Sequence, residues 1–97
     1  MKHHNKIQDY KKELVEVFSK INGNKELMKE FLMDILTPAE FETIALRWQI
    51  VKKLHKGEDQ RSIAGELGLG VSTVTRGSRE LRNKKGGFAL MLKKFGQ

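Results

Sequence analysis

The residues best suited to chemistry in this sequence are the hydroxyl and guanidinium side chains of the segment 60–82 and the short basic run after it. Serine and threonine hydroxyls can hydrogen-bond to phosphates, to base edges or to bridging waters, and an arginine can fork onto a guanine edge. Backbone N–H groups at a helix N-terminus favour a phosphate. The candidates for contact with double-stranded DNA are Arg61, Gly70, Val71, Ser72, Thr73, Thr75, Arg82, Lys84 and Lys85.

The spacing within 60–82 predicts two short helices around a turn, which is the layout of a helix-turn-helix. Gly68 stands where the first helix should end and favours a left-handed C-cap, and Ser72 or Thr73 can cap the second helix. Ala64 is small enough for the helices to cross closely. An ordinary helical hairpin inside a core is the alternative. The predicted buried stripe consists of Ile63, Leu67, Val71 and Val74.

The charge distribution favours nucleic acid as the partner of this segment. Residues 1–46 contain seven Lys/Arg and eight Asp/Glu, whereas residues 47–97 contain twelve and four, which gives net charges of −1 and +8. A neutral half joined to a basic half suggests one part for assembly and one for a polyanion. The alternatives are a membrane surface, which would need one long basic amphipathic face, or a merely solvated lysine-rich surface.

Length and composition limit the remaining classes of protein. Ninety-seven residues predict a single domain over 1–97, and no cysteine is present for disulfides or thiolate chemistry. No apolar run reaches the ~20 residues of a membrane span, and the first residues lack the apolar core of a signal peptide, so a cytoplasmic protein is expected. We see no catalytic set and predict that the protein is not an enzyme. We interpret His3 and His4 as tail residues and predict no metal site.

The rest of the chain predicts an all-α fold of about six helices. Three- and four-residue apolar steps indicate helices over 6–21 and 25–35, and a last helix within 86–97. A further helix over 38–56 should begin with a capping box of Thr37 and Glu40. This helix has two apolar stripes and must be covered on two faces. A partner subunit would provide the second cover, so 6–56 is the predicted dimerisation core; a central helix in a monomeric bundle is the alternative.

Two stretches of the sequence resemble the Trp repressor family. One is LTPAE, followed by Arg47 and later by a Lys-Gly-Glu turn; the other is GELGLGVSTVTRGS, in which TVTRGS after G-x-G is the specific part. The resemblance covers residues 36–82. It implies an intertwined homodimer that binds a palindromic operator through two helix-turn-helix units. It also implies L-tryptophan as corepressor, no prosthetic group, and control of tryptophan biosynthesis or transport genes.

The same resemblance implies a set of ligand-binding residues. Arg47 and Arg76 match the two family arginines that sandwich the indole, and Arg76 also meets the carboxylate. Thr37 matches a hydroxyl that helps to hold the carboxylate. The carbonyl of Leu36 would accept from the ammonium, and Gly77 would leave room for the ring.

Three positions depart from the family pattern. Glu80 stands where the family usually has a serine that helps to bind the ammonium, Arg79 replaces the preceding asparagine, and Ala64 replaces a lysine that contacts DNA. Glu80 could form a stronger charge-assisted contact with the ammonium, or reach Arg76 and close the pocket. The alternatives that remain are a DNA-binding regulator with no ligand or with another effector, a protein-binding helix-turn-helix adaptor, and an RNA-binding protein.

Overall fold

The computed structural model describes the backbone of residues 2–95 and the side chains of residues 6–95. Within that part of the chain there are six helices and no strand, so the predicted all-α class is confirmed. The helices are α1 (Lys2–Ser19), α2 (Lys25–Ile35), α3 (Pro38–His55), α4 (Gln60–Leu67), α5 (Val71–Leu81) and α6 (Gly87–Phe95). The side chains of His3 and His4, and residues Gly96 and Gln97 of the predicted last helix, lie outside the described residues.

The chain divides into two compact units, and the boundary lies within α3 between Phe41 and Glu42. In the first unit, a turn joins α1 to α2 through Asn22 and Gly23, whose φ angles of 50° and 80° are left-handed. Phe18 and Phe31 pack edge to face with ring centroids 5.1 Å apart. The assignment of the two units to a single domain stays a prediction.

The predicted capping box at the start of α3 is confirmed. The backbone N–H of Glu40 donates to Thr37 Oγ1 over 3.1 Å, and the backbone N–H of Thr37 donates to Glu40 Oε1 over 2.8 Å. Two N–H groups that a helix terminus would otherwise leave unpaired are thereby satisfied. The sequence therefore fixes the start of α3 locally.

The second unit has a small apolar core in which α3, α4 and α5 meet. Its buried members are Ile50, Ile63, Ala64 and Val74, with Leu54, Leu67 and Leu69 packed against them. Val71, which the predicted stripe included, is instead 45% exposed. The prediction failed there because Val71 is the first residue of α5, where the chain is only entering the helix.

Caps at both ends of α4 fix the turn between the two helices. Asp59 is the N-cap, and its carboxylate accepts from the backbone N–H of Ser62 over 2.8 Å. Gly68 is the C-cap with φ 68° and ψ 36°, as predicted. The left-handed conformation costs glycine least because it has no Cβ.

The contact of α5 with α3 depends on the absence of a side chain at Gly77. A Cβ built on Gly77 would lie 2.8 Å from Cγ2 of Ile50, a side chain that is 2% exposed. Interior side chains are close-packed, so Ile50 has little room to move away. The two helices can therefore approach this closely only with glycine at position 77.

Large apolar side chains remain at the surface of a single copy of the chain. In the first unit these include Tyr10, Val15, Leu27 and Met33, which are exposed by about half or more, while Ile21 is buried.

None of the described helices is both long and apolar enough to cross a membrane. Dimerisation through 6–56 stays a prediction.

We predict that Gly77→Ala destabilises the protein and that Gly65→Ala does not. The new methyl group at position 77 would clash with Ile50, at a cost of about 1–3 kcal/mol for overpacking, which exceeds a helix-propensity gain of about 1 kcal/mol. Gly65 lies inside α4 with open space where its Cβ would be, so alanine there should stabilise by about 0.5–1 kcal/mol. Urea unfolding at one protein concentration measures both. Equal stability of the two variants would contradict the proposed close approach.

Candidate nucleic-acid interface and adjoining pocket

The N-terminus of α5 is capped by Gly70, and no side chain caps it. The prediction that Ser72 or Thr73 is the cap is therefore wrong, because α5 already begins at Val71 and both residues lie in its first turn. Both side chains are exposed, and within residues 6–95 neither hydroxyl has a hydrogen-bond partner. The first turn of α5 thus presents two unused hydroxyls next to helix N–H groups.

Thr75 differs from these two residues because its hydroxyl bonds within the protein. It lies 2.6 Å from Oε1 of Gln60, to which it can donate, and 3.0 Å from the carbonyl oxygen of Val71. This contact ties α4 to α5 at the surface that carries the candidate DNA contacts. Gln60 was not among the predicted residues, because it lies 15 positions from Thr75 and no local pattern links the two. A DNA contact by Thr75 stays a prediction.

Arg61 is exposed in the first turn of α4, directly after the Asp59 cap and Gln60. The pKa of the Asp59 carboxyl is held below its ordinary value, first by the hydrogen bond from the backbone N–H of Ser62 and then by the hydroxyl of the same residue. The charge of Arg61 acts in the same direction. Asp59 therefore carries its charge under physiological conditions. Its hydrogen bond with Ser62 fixes the N-terminus of α4, the helix turn to which Arg61 belongs.

The basic residues after α5 lie at the surface. Arg82 is the C-cap of α5, and Lys84 and Lys85 lie in the turn that leads to α6. The Asn83 side chain orders this turn, since its Oδ1 accepts from the backbone N–H of Lys85 over 3.1 Å. These side chains extend the positive surface beyond the helix-turn-helix.

A pocket of about 600 Å³ lies among α3, α5 and α6. It brings together four of the six residues predicted to bind the ligand, and it also includes Ser72 and Thr73. Two buried aliphatic residues of α3 and an aromatic ring of α6 complete the wall. The lining residues are Arg47, Ile50, Val51, Ser72, Thr73, Arg76, Gly77, Glu80 and Phe88.

The charged side chains of the pocket are not paired with one another. Arg47, Arg76 and Glu80 are all exposed, and the two ion pairs found among residues 6–95 both belong to Lys53, which contacts Glu66 and Glu58. Two guanidinium groups and one carboxylate thus share a pocket in which they contact no opposite charge of the described residues within 4 Å. Such groups can take up a ligand that carries both signs of charge.

Leu36 and Thr37 belong to the first compact unit, whereas the lining residues of this pocket all belong to the second. The Thr37 oxygen accepts from Glu40 N–H in the capping box, which leaves its hydroxyl hydrogen to donate elsewhere. Ligand contacts by Leu36 and Thr37 stay predictions.

Three residues of the pocket wall, Ile50, Val51 and Phe88, were not predicted from the sequence. Ile50 lies on one apolar stripe of α3 and Val51 on the other. These two stripes predicted that both faces of α3 are covered, but not that the two residues line a pocket. Phe88 had only the signal of an apolar stripe in the last helix, and nothing in the sequence links it to Arg76 across the glycine-containing turn.

Among residues 6–95 no cluster of three His, Asp or Glu side chains could hold a metal ion.

The fold and this site define an all-α protein with a helix-turn-helix and a charged pocket against its second helix. Comparison with known families gives a match between residues 11–95 and the model of the Trp repressor protein. The chain therefore belongs to the Trp repressor family, which confirms the resemblance. Membership places it among repressor-type DNA-binding regulators, a family of regulators rather than of enzymes.

Curated relatives agree with this assignment. The Trp operon repressor homolog of Vibrio campbellii is 35% identical over 85 residues, which cover 87% of this chain and 83% of the relative. The homolog of Vibrio parahaemolyticus is also 35% identical over 85 residues, with 87% and 81% covered. The homolog of Vibrio vulnificus is 49% identical over 51 residues, or 52% of this chain and 50% of the relative.

We predict that Thr75→Val lowers the free energy of unfolding by about 0.5–1.5 kcal/mol, the usual net value of one hydrogen bond. Valine keeps the shape of the side chain but cannot donate to Gln60, whereas Thr75→Ser keeps the donor and should remain closer to the unchanged protein. A double-mutant cycle with Gln60→Ala, measured by urea unfolding, isolates the pair. Additive effects of the two substitutions would show that the contact does not join the helices.

Proposed function

We propose that this protein is a homodimeric transcriptional repressor that binds a palindromic operator and uses L-tryptophan as corepressor at tryptophan biosynthesis or transport genes. The observation that carries the proposal is the pocket of α3, α5 and α6, because its wall includes Ser72 and Thr73 of the helix that would enter the DNA groove. Effector and operator would thus act on the same helix.

The surface of α4 and α5 supports duplex DNA as the target. The free hydroxyls of Ser72 and Thr73 and the N–H groups near Gly70 suit phosphates and base edges. Arg61 can read a guanine edge from its fixed helix terminus. Arg82 and Lys84 can contact the phosphate backbone on the far side of α5. A neutral first half of the chain leaves this positive charge concentrated on the proposed interface.

The pocket supports a small amino acid as the effector. A zwitterion needs a cation for its carboxylate, an acceptor for its ammonium and an apolar slot for its side chain. Arg47 and Arg76 supply cations that can also stack on a ring. Glu80 supplies the acceptor, and the aliphatic and aromatic wall supplies the slot. A volume of about 600 Å³ is ample for one amino acid.

A dimer would give the operator its symmetry. The exposed apolar side chains of α1 and α2 favour burial against a second copy. Two helix-turn-helix units related by a twofold axis would enter successive major grooves about 34 Å apart. An effector that binds the DNA-competent arrangement more tightly would shift the population toward it.

Glu80 supports a second candidate, a repressor of the same family with another effector or with none. The family pattern has a serine at this position, and a carboxylate changes the charge that an incoming ligand meets. A protein-binding adaptor would instead show weak DNA binding with a shallow dependence on salt. A DNA titration at several salt concentrations, with and without L-tryptophan, separates these functions.

We predict that the protein binds a palindromic duplex with an affinity that falls steeply with salt and rises when L-tryptophan is added. Lys84→Ala should reduce the slope of log K against log salt by about one, as expected for one lost phosphate contact. Arg61→Ala should cost about 1–3 kcal/mol and relax the base preference. Fluorescence anisotropy with palindromic and scrambled duplexes at several salt concentrations measures these effects.

Lys29→Ala is the matched control for that titration, since Lys29 is an exposed lysine in the neutral half of the chain. Its salt slope should equal that of the unchanged protein. If the affinity for both duplexes hardly changes with salt concentration, the result would argue against DNA as the partner. Strong DNA binding that does not change when L-tryptophan is added would support a repressor that does not use this effector.

We predict that L-tryptophan binding depends on both pocket arginines. Arg47→Ala and Arg76→Ala should each weaken binding by about 1.5–3 kcal/mol, the range for hydrogen bonds to charged groups. Arg79→Ala is the control, because Arg79 is an exposed arginine of α5 that does not line the pocket. Isothermal titration calorimetry without DNA measures all four proteins. Equal loss in the Arg79 variant would contradict the assignment of this pocket.

A further inference from the structure

We propose that Lys53 positions α4 for DNA, so that the base preference of Arg61 depends on a lysine that does not itself contact the duplex. Lys53 lies near the end of α3, and its ammonium group bridges to α4. The inference rests on the proposed DNA binding. It goes beyond that function by assigning a positioning role to a residue outside the candidate DNA contacts.

The ammonium group of Lys53 joins three consecutive segments of the chain. It lies 2.7 Å from Oε2 of Glu66 in the last turn of α4, and 3.7 Å from Oε1 of Glu58 in the segment between α3 and α4. The Lys53 side chain is only 17% exposed, although lysine is normally a surface residue. The shorter contact has the length of a charge-assisted hydrogen bond, so one cation fastens the start and the end of this connection to α3.

The apolar contacts beneath α4 are less directional than this polar contact. Ile63 and Ala64 of α4 are buried together with Ile50 of α3. Hydrophobic burial is non-directional, so it tolerates small rotations of α4 better than a hydrogen bond, which has a preferred distance and angle. The contact between Lys53 and Glu66 therefore fixes the orientation of α4 on a surface that is otherwise apolar.

Glu66 and Arg61 lie at opposite ends of the same short helix. Because α4 has eight residues and rises about 1.5 Å per residue, a rotation or tilt at its last turn also displaces its first turn. A guanidinium must be well oriented to form two hydrogen bonds to a guanine edge. The base contact of Arg61 is therefore more sensitive to such a displacement than the general attraction between the protein and phosphates.

Neutralising Glu66 separates positioning from a simple effect of charge. Loss of this carboxylate removes a negative charge from the helix that carries Arg61, which by charge alone would strengthen binding to every duplex. The same change removes the contact with Lys53, which would release α4 and weaken the base contact. The ratio of the affinities for a specific and a scrambled duplex isolates the second effect, since the general attraction acts on both duplexes alike.

The test is fluorescence anisotropy of the full-length protein with two duplexes, a palindrome that the unchanged protein selects from a random library and a scrambled version of it. Glu66→Ala and Lys53→Met should each lower the affinity ratio by about two- to fivefold, the effect of one partly exposed ion pair. Lys53→Arg keeps a cation at this position and should retain more of the ratio than Lys53→Met. Lys53→Met should also leave the salt slope unchanged, whereas loss of a phosphate contact reduces it by about one.

Glu42→Ala is the charge-matched control, since Glu42 is an exposed carboxylate of α3 that forms no ion pair with the described residues. Its ratio should equal that of the unchanged protein. Because both duplexes are measured on each variant, a partial loss of folded protein affects both affinities and leaves the ratio intact.

The double variant Lys53→Met with Glu66→Ala should lose no more of the ratio than either single variant, because the two residues act through one contact. Losses that simply add, or a ratio in Glu66→Ala equal to that in Glu42→Ala, would overturn this role of Lys53 and leave DNA binding in place. If the unchanged protein selects no duplex, DNA as the partner and this inference both fail.

Discussion

The close approach of α5 to α3 at Gly77 is the constraint on which the rest of the second unit depends. A Cβ at that position would lie 2.8 Å from the side chain of buried Ile50, so only glycine lets the helix backbones come this near. The same approach allows Arg47 of α3 and Arg76 of α5 to line one pocket. A larger residue would push α5 outward, and the arginines would separate while the core around Val74 opened.

That constraint also links the pocket to the proposed DNA surface. Ser72 and Thr73 lie in the first turn of α5, one to two turns before Arg76 and Glu80, and all four line the same pocket. Because α5 is a single helix of 11 residues, a ligand that changed the tilt of this helix would also displace its N-terminus. A coupling free energy of about 1–3 kcal/mol between effector and DNA is typical of such arrangements.

Local signals predicted most of the fold, and contacts distant in sequence account for the errors. The capping box of Thr37 and the left-handed Gly68 were predictable because each depends on residues within one turn of chain. The cap of α5 was assigned to a hydroxyl residue because such residues are preferred there, yet the chain uses Gly70, which tertiary packing can impose. Phe88 was missed for the same reason: its place in the pocket depends on how α6 packs, and no spacing rule contains that.

The distribution of ion pairs separates a structural use of charge from a binding use. Lys53 holds Glu66 at 2.7 Å and Glu58 at 3.7 Å, and the hydrogen bond with Glu66 is the main reason that its pKa is raised. These contacts join the end of α3 to α4 and to the segment between the two helices. The arginines of the pocket remain solvated instead, so their attraction for a carboxylate is realised only when a ligand arrives. The Lys53 ion pairs stabilise the fold whether or not a ligand is present. The pocket arginines can form a comparable ion pair only with a bound ligand.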